Sequence, residues 1–353
     1  MPLDDPNSAC EASFGQIEYA SFKRSRDLTQ ILKSDSITMP KVSVITPCYN
    51  SEKYVGQTLQ SIGSQSFEDW EHIVVNDGST DGSRTVVQSF AQQSSKIRLV
   101  EQTNGGMIGA RITGFKAASL ESSYLLFLDA DDCAEPLMLE RLVHYLDAHK
   151  EVGLVHTGYR FIDEKGNFTH YPEVKYRLVP HGLWLRKLPQ DSPDTPFVSI
   201  FTLCVIISSI SLIRRSVYEE VGGYDPAFGT HREDTDLFLR IALKSKVHFS
   251  PEPLIRRRRH GGQDTTSSPE FKQKSYLQTQ KLYAKWRKGE GLTQDEKKLV
   301  QSAWRFKQSR VEPYQAFLRA AEYLKHKDWI NAFRFYLGGL RRYLLSWIPG
   351  LDF

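Results

Sequence analysis

Val42-Ser43-Val44-Ile45-Thr46-Pro47-Cys48-Tyr49-Asn50 is an apolar, β-branched run closed by proline and followed by polar residues. Such a run reads as a buried strand ending at a turn. The next segment, Lys53 to about Gln65, sets Val55, Leu59 and Ile62 on one helical face. Working outward, the same alternation repeats. Glu71 to Asn76 is a second strand, running into the turn cluster Asp77-Gly78-Ser79-Thr80-Asp81-Gly82 and a helix to about Gln92. Ile97 to Val100 is a third, followed by Asn104-Gly105-Gly106 and a helix to about Ser119. Tyr124 to Leu128 is a fourth, running straight into Asp129-Ala130-Asp131-Asp132. Pro136 then opens a helix to about Ala148, and Val152 to His156 is a fifth strand. Five strand–helix alternations at short spacing predict an α/β fold: a Rossmann-like, mainly parallel sheet flanked by helices. Ligands of such sheets bind beyond the carboxyl ends of the strands, where the Asp, Asn and Gly clusters fall.

The rest of the chain is less regular. Asp163 to about Pro196 is rich in Pro, Gly and charge, and reads as an excursion that shapes an acceptor pocket. Phe197 to Ile213 has strand character, Gly222-Gly223-Tyr224-Asp225 is a turn, and Thr235 to Leu243 is a short helix just after Glu233-Asp234. Leu254 to Arg258 predicts a further strand before His260-Gly261-Gly262. From Glu270 to Ile348 the periodicity is helical, broken near Gly289-Glu290-Gly291 and Pro313. The expected organisation is an N-terminal arm over 1–39, a catalytic domain over 40–268 and a C-terminal helical region over 269–353. The arm is polar and aperiodic, apart from one short helix around Arg26 to Leu32.

Composition bounds the function. The 46 basic and 42 acidic residues leave a net charge of +4, which gives no ground for expecting nucleic acid as a partner. Basic residues nevertheless gather after Arg256. Cys10, Cys48, Cys133 and Cys204 are scattered without a CxxC pair, so neither a disulfide framework nor a zinc site is expected. The first forty residues carry charges throughout and no apolar signal-peptide core. Phe197 to Ile213, the longest apolar stretch, is too polar to span a membrane. These features predict a cytoplasmic protein, with peripheral contact at the inner face of the plasma membrane as an option.

Three acidic clusters carry candidate chemistry. Two carboxylates one residue apart at a strand end, Asp129 and Asp131, can share a hard cation such as Mg²⁺ or Mn²⁺ and a ribose, jointly with substrate phosphates; the bland alternative is an acidic turn before Pro136. Asp77 can accept the imide hydrogen of a base and Tyr49 can stack on it, or they are a turn residue and a rim aromatic. A carboxylate in Glu233-Asp234 can act as a general base, or Asp234 simply caps a helix.

Together these motifs resemble family 2 glycosyltransferases. Val42 to Asn50 is similar to that family's opening strand, Val75-Asn76-Asp77-Gly78-Ser79-Thr80-Asp81-Gly82-Ser83 to its second, Leu128-Asp129-Ala130-Asp131-Asp132 to its metal motif, and Glu233-Asp234-Thr235-Asp236-Leu237-Phe238-Leu239-Arg240 to its late Glu-Asp helix. They occur in the family's order across about Lys41 to Gly262. The resemblance implies a GT-A fold and inverting, single-displacement transfer of a sugar from a nucleotide-diphosphate donor, UDP by default, to an acceptor hydroxyl. It implies that Pro47, Tyr49 and Asp77 frame the nucleobase, that Asn50 belongs to the nucleotide-sugar-binding set and that Asp129 contacts the ribose side. Asp131 holds the metal, Asp234 takes the acceptor proton and Glu233 positions the acceptor. Asn104 and Arg111 match a looser part of the pattern, with Arg111 expected to reach phosphate or to form a surface ion pair. His260 is expected to complete the metal site or contact phosphate. The arginines Arg256 to Arg259 are a lid over the diphosphate or a solvated basic loop.

The expected acceptor is a glycan or lipid-linked saccharide of cell-envelope polysaccharide biosynthesis. A catalytically inactive nucleotide-sugar-binding scaffold is the alternative, disfavoured because Asp131 and Asp234 are both present. A nucleotidyltransferase would carry a Gly-rich basic loop after the first strand, and none is there. A processive synthase would carry spanning helices and Gln-x-x-Arg-Trp. The last helix aligns Trp329, Phe333, Tyr336, Leu337, Leu340, Leu344 and Ile348, flanked by Arg334, Arg341 and Arg342. The favoured expectation is packing against Pro313 to His326; an interfacial membrane helix or a homodimer contact are the others.

Overall fold

The computed structural model describes residues 40–169, 197–203, 206–228, 231–261, 269–312, 316, 320, 324 and 327–345. The expected arm and most of the expected acceptor excursion lie outside them, as does Gly262.

Among the described residues eight strands form one sheet in the order β3-β2-β1-β4-β7-β6-β8-β5. These are β1 Val42–Cys48, β2 Trp70–Asp77, β3 Ile97–Gln102, β4 Tyr124–Phe127, β5 Cys133–Ala134, β6 Val152–Ile162, β7 Ser211–Arg214 and β8 Lys246–Arg258. The half containing β1 to β4 is parallel, with Ile45 aligned to Ile73 on one side and Phe127 on the other. Beyond β4 the sheet is mixed: β7 runs antiparallel to both β4 and β6, and β6 pairs in parallel with β8.

Period two sorts the strands' side chains to opposite faces. Val42, Val44, Val74, Leu126 and Leu128 enter one core, and Ile45, Ile73, Val75, Leu125 and Phe127 the other. Helices α1 (Val55–Gly63), α2 (Ser83–Gln93) and α4 (Met138–Ala148) cover the first face. Helix α3 (Gly106–Ala117), α5 (Phe197–Leu203), α6 (Arg215–Glu220) and α7 (Glu233–Lys244) cover the second. With both faces buried, the central strands need no polar side, so they read as continuous apolar runs. α3 lies so close to the sheet that a methyl on Gly114 would meet Ile45 and Val75.

Three differences from the sequence reading have physical causes. The run from Phe197 is not a strand: it forms α5, then a 3₁₀ turn at Ser208–Ile210, and only Ser211–Arg214 joins the sheet. Phe197, Ile200 and Phe201 are all buried, and an apolar run buried on every side carries no period to tell helix from strand. β8 starts at Lys246, well before Leu254, and runs beside β6 along most of its length. β5 is only two residues long and was invisible as a pattern.

The described residues after 268 are mainly helical: α8 Pro269–Lys288, α9 Gln294–Phe306, a π turn at Lys307–Val311, and α10 Trp329–Leu345. Thr293 and Glu296 cap α9 reciprocally, the Thr293 hydroxyl accepting from the Glu296 amide and the Glu296 carboxylate from the Thr293 amide. Leu282, Tyr283, Trp286, Val300 and Ala303 enter the second core beside Phe201 and Phe238, so α8 and α9 share the hydrophobic interior of the sheet domain. Most of Pro313 to His326, against which α10 is expected to pack, lies outside the described residues, as do Ile348 and the side chains of Arg342 and Leu344. Trp329, Phe333 and Leu337 are exposed, and Ala332 and Gly339 turn inward instead.

Candidate active site

The carboxyl ends of β1, β2 and β4 lie side by side, and each feeds a loop with polar side chains. After β1, Asn50 sits in the left-handed region at φ 47. Its side-chain carbonyl accepts from the Thr80 amide at 2.8 Å, and its own amide donates to the Ser79 hydroxyl at 3.1 Å. Asn50 is thus a brace between two loops, a conformation its short side chain tolerates. Tyr49, beside it, is 51% exposed, leaving its ring on the rim. Pro47, inside β1, pairs with Val75.

Asp77 ends β2 and is buried. Its Oδ1 accepts from the Gln102 side-chain amide at 2.6 Å and from the Gly105 amide at 2.7 Å. Gly105 is the cap of α3, so Asp77 fixes the helix start. Gly78 takes φ +69, and a Cβ there would stand 2.9 Å from the Asn104 amide nitrogen. This close approach holds the β2 loop against the exposed Asn104.

Arg111, about a turn and a half into α3, is 2% exposed. One of its terminal nitrogens donates to Asp129 Oδ1 at 2.9 Å and the other to Glu233 Oε1 at 3.1 Å. Its guanidinium also lies 5.2 Å from the centroid of the Tyr224 ring. Burial alone would depress its pKa, but Tyr224, Asp129 and Glu233 outweigh burial and raise it, so it is a permanent cation. The surface ion pair weighed for this residue is therefore replaced by a buried fork joining two acidic motifs that lie far apart in sequence.

The loop after β4 is built from inside. The Asp129 amide donates to the Ser209 hydroxyl at 3.1 Å. Asp132 is buried; burial first, then the charges of Asp131 and Asp129, push its pKa well above the carboxylate range. Its Oδ1 accepts from the Arg258 amide at 3.1 Å, and Arg258 Nε donates to the Asp131 carbonyl at 3.0 Å. Arg258 is wholly buried, and it also donates to the Asp163 carbonyl and to Gln57 Oε1. The arginine lid is accordingly corrected: Arg256, Arg257 and Arg258 belong to β8, and Arg258 is a buried strut of the acidic loop. A charged strand end looks like a basic loop in sequence, since nothing local shows the carbonyls that pair it.

The Asp131 side chain is 22% exposed. Its Oδ2 is 3.0 Å from His260 Nε2, and the His260 ring rests 4.4 Å from that of Tyr54. A carboxylate oxygen and an imidazole nitrogen are a donor set that suits a divalent first-row cation completed by phosphate oxygens and water. Among the described residues no group of three His, Cys, Asp or Glu could hold a metal by itself.

Glu233 and Asp234 open α7, immediately after His231 and Arg232, both at positive φ (89 and 76). Two consecutive non-glycine residues in this region store strain of the kind found at functional loops. Glu233 Oε2 is buried and makes no hydrogen bond among the described residues. Burial, then the Asp234 charge, raise the Glu233 pKa from 4.5 to about 7, against the pull of Arg111. Asp234 is less buried, and its Oδ1 accepts from the Thr235 amide at 2.6 Å. One turn in, the wholly buried Asp236 accepts from Arg240, Lys285 and the Trp286 indole, pinning α7 to α8. The sequence reading gives Asp236 no role of its own within the Glu-Asp motif and takes Arg258 for lid or loop; the clues to the contrary are an acid inside an amphipathic helix and an arginine inside a strand.

The Glu233 shift has a checkable sign. A carboxyl with a raised folded pKa contributes stability below its unfolded pKa and loses it as pH climbs through the folded value. Glu233→Gln should therefore remove a fall in stability of order 2 kcal/mol between about pH 4.5 and 7. Denaturant midpoints of the parent and variant across that range test it; parallel curves would refute the buried, proton-holding carboxyl.

Residues 43–222 match the family model described as glycosyl transferase family 2. The chain belongs to that family. Among relatives of this glycosyltransferase, an uncharacterized glycosyltransferase of Rickettsia prowazekii is 29% identical over 238 residues, 66% of this chain and 68% of that protein. The putative glycosyltransferase EpsE of Bacillus subtilis is 30% identical over 207 residues, 57% of this chain and 66% of that protein. Some relatives are longer: an uncharacterized glycosyltransferase of Rickettsia felis is matched over 37% of its length. Among solved structures, TarS of S. aureus superposes with a TM-score of 0.55 at 20% identity, covering 85% of this chain and 49% of TarS. Its 1–349 fragment in complex with UDP-GlcNAc gives 0.53 at 18%, covering 85% of this chain and 92% of the fragment. A mannosyltransferase of Pyrobaculum calidifontis in complex with GDP-Man and Mn²⁺ gives 0.50 at 17%, covering 88% of each chain. At these identities the superpositions show the fold, which is GT-A.

Proposed function

We propose that the chain transfers a sugar, with inversion, from a nucleoside-diphosphate donor to a hydroxyl of a glycan or lipid-linked saccharide. The observation that carries this reading is the Arg111 fork, which ties Asp129 of the donor motif to Glu233 of the base motif across one sheet edge. Tyr49 offers the exposed ring for the base, and Asn104 lies beside the Asp77 loop. The bound neighbours carry UDP-GlcNAc in one case and GDP-Man in another; a uridine donor is the choice here.

In this reading Asp131 and His260 would hold Mn²⁺ or Mg²⁺. When bound, the cation supplies charge stabilisation for the departing diphosphate. Asp234 accepts the proton of the acceptor O–H. The freed oxygen attacks the anomeric carbon, and the sugar–phosphate C–O bond breaks with its electron pair going to the nucleoside diphosphate. A carboxylate suffices as base because the hydroxyl becomes acidic only as the oxocarbenium-like transition state forms. Glu233 holds Arg111 with one oxygen and so fixes the start of α7, where Asp234 stands next to it as the base. No described helix is long and apolar enough to cross a membrane, and we place the reaction on the cytoplasmic side, in cell-envelope polysaccharide synthesis.

A panel of nucleotide sugars, with and without Mn²⁺, scored for binding and donor hydrolysis, tests the reading. One UDP-sugar should bind at least tenfold more tightly with Mn²⁺, and Asp131→Ala should remove that difference. Equal binding with and without metal in the parent would refute the cation role; binding without any turnover would favour the inactive scaffold.

A further inference from the structure

We propose that α10 is a docking face for the headgroup region of an anionic lipid bilayer. Trp329 is 68% exposed, Ile330 83%, Phe333 63% and Leu337 45%. At 3.6 residues per turn these four project within an arc of about 100°. Inward, the small Ala332 and Gly339 seat the helix on its own chain. Exposed large side chains with small buried ones are the reverse of a helix that belongs to the core. The apolar surface extends past the helix as an open groove of about 430 Å³, lined by Ala320, Leu324, Trp329, Ala332, Phe333 and Tyr336.

Charge selects the occupant. Arg334 and Arg341 are exposed and fall along one edge of the apolar arc. The segment Trp329–Leu345 carries three arginines and no acid. The acid just before it, Asp328, is engaged with the Asn331 amide at 3.2 Å and side chain at 2.7 Å as a helix cap. Apolar residues with a tryptophan on one face and guanidiniums along the margin match a negatively charged lipid–water interface. The face is too basic to meet a second copy of itself without repulsion. The proposal does not depend on the donor chemistry, since no residue of α10 belongs to the sheet-edge site.

The full chain is mixed with vesicles of phosphatidylcholine containing about one third phosphatidylglycerol, and with vesicles of phosphatidylcholine alone, and sedimented. Binding should require the anionic lipid and weaken as salt rises. Replacing Arg334 and Arg341 together by Ser should weaken it about 25-fold, fivefold for each charge. Replacing Trp329 and Phe333 together by Ser should weaken it about tenfold or more. Both pairs are exposed, so circular dichroism and nucleotide-sugar binding should stay as in the parent. The proposal is overturned if the chain fails to sediment with anionic vesicles, if neutral vesicles hold it equally, or if both variants bind as the parent does. It is also overturned if analytical ultracentrifugation shows a dimer that the Trp329 and Phe333 replacements dissolve.

Discussion

Asp234→Asn is expected to lower transfer by at least 10³-fold while leaving donor binding within about threefold of the parent. The asparagine keeps the size of the side chain and an oxygen able to accept from the Thr235 amide. It loses the capacity to take a proton. The loss should therefore lie in kcat, with little change in the affinity for nucleotide sugar measured by calorimetry. Normal transfer by this variant would remove Asp234 from the role of base, and lost donor binding would show that it acts on the donor instead. Glu233→Gln serves as the contrast: it retains the contact with Arg111 and should cost far less activity.

The second large effect concerns Arg111. Replacing it by Met leaves Glu233 buried at 5% exposure with no cation beside it, and leaves Asp129 without its fork. Removing one partner of a buried ion pair costs about 3–5 kcal/mol. The Asp129 side chain is partly open to solvent, which places the expectation near the lower end, about 3 kcal/mol. Turnover should fall by more than 100-fold, because both the donor loop and the start of α7 lose their common anchor. Arg111→Lys should recover little: one ammonium cannot reach two carboxylates from a rigid fork. Thermal unfolding together with kcat on the same preparations checks both parts. A stable, active Arg111→Met protein would show that the two motifs are positioned independently.

Much of this was legible because the information is local. β1, β2 and β4 each carry a buried apolar run closed by a turn, and the acids after β2 and β4 sit beside the residues that identify the strand. Asp77, Asp129 and Asp131 could thus be placed on one edge from the alternation alone. What could not be read is long-range. That Arg111 faces Asp129 and Glu233 depends on the packing of α3 over the sheet and of α7 behind it. Nothing near residue 111 indicates two partners 18 and 122 residues away. Asn50 was placed among the donor contacts by its position after β1; its brace to Thr80 and Ser79 needs two loops to be seen together. Arg258 failed for a related reason, because its partners are backbone carbonyls contributed by other segments. The run from Phe197 misled because uniform burial erases periodicity.

The most direct test of the account is the crystal structure of the Asp234→Asn protein with an intact UDP-sugar and Mn²⁺. The base is expected against Tyr49 and Asp77, the diphosphate and metal at Asp131 and His260, and the anomeric carbon facing residue 234 with room for one acceptor oxygen between them. Density for the donor on another surface, or an anomeric carbon turned away from residue 234, would contradict it.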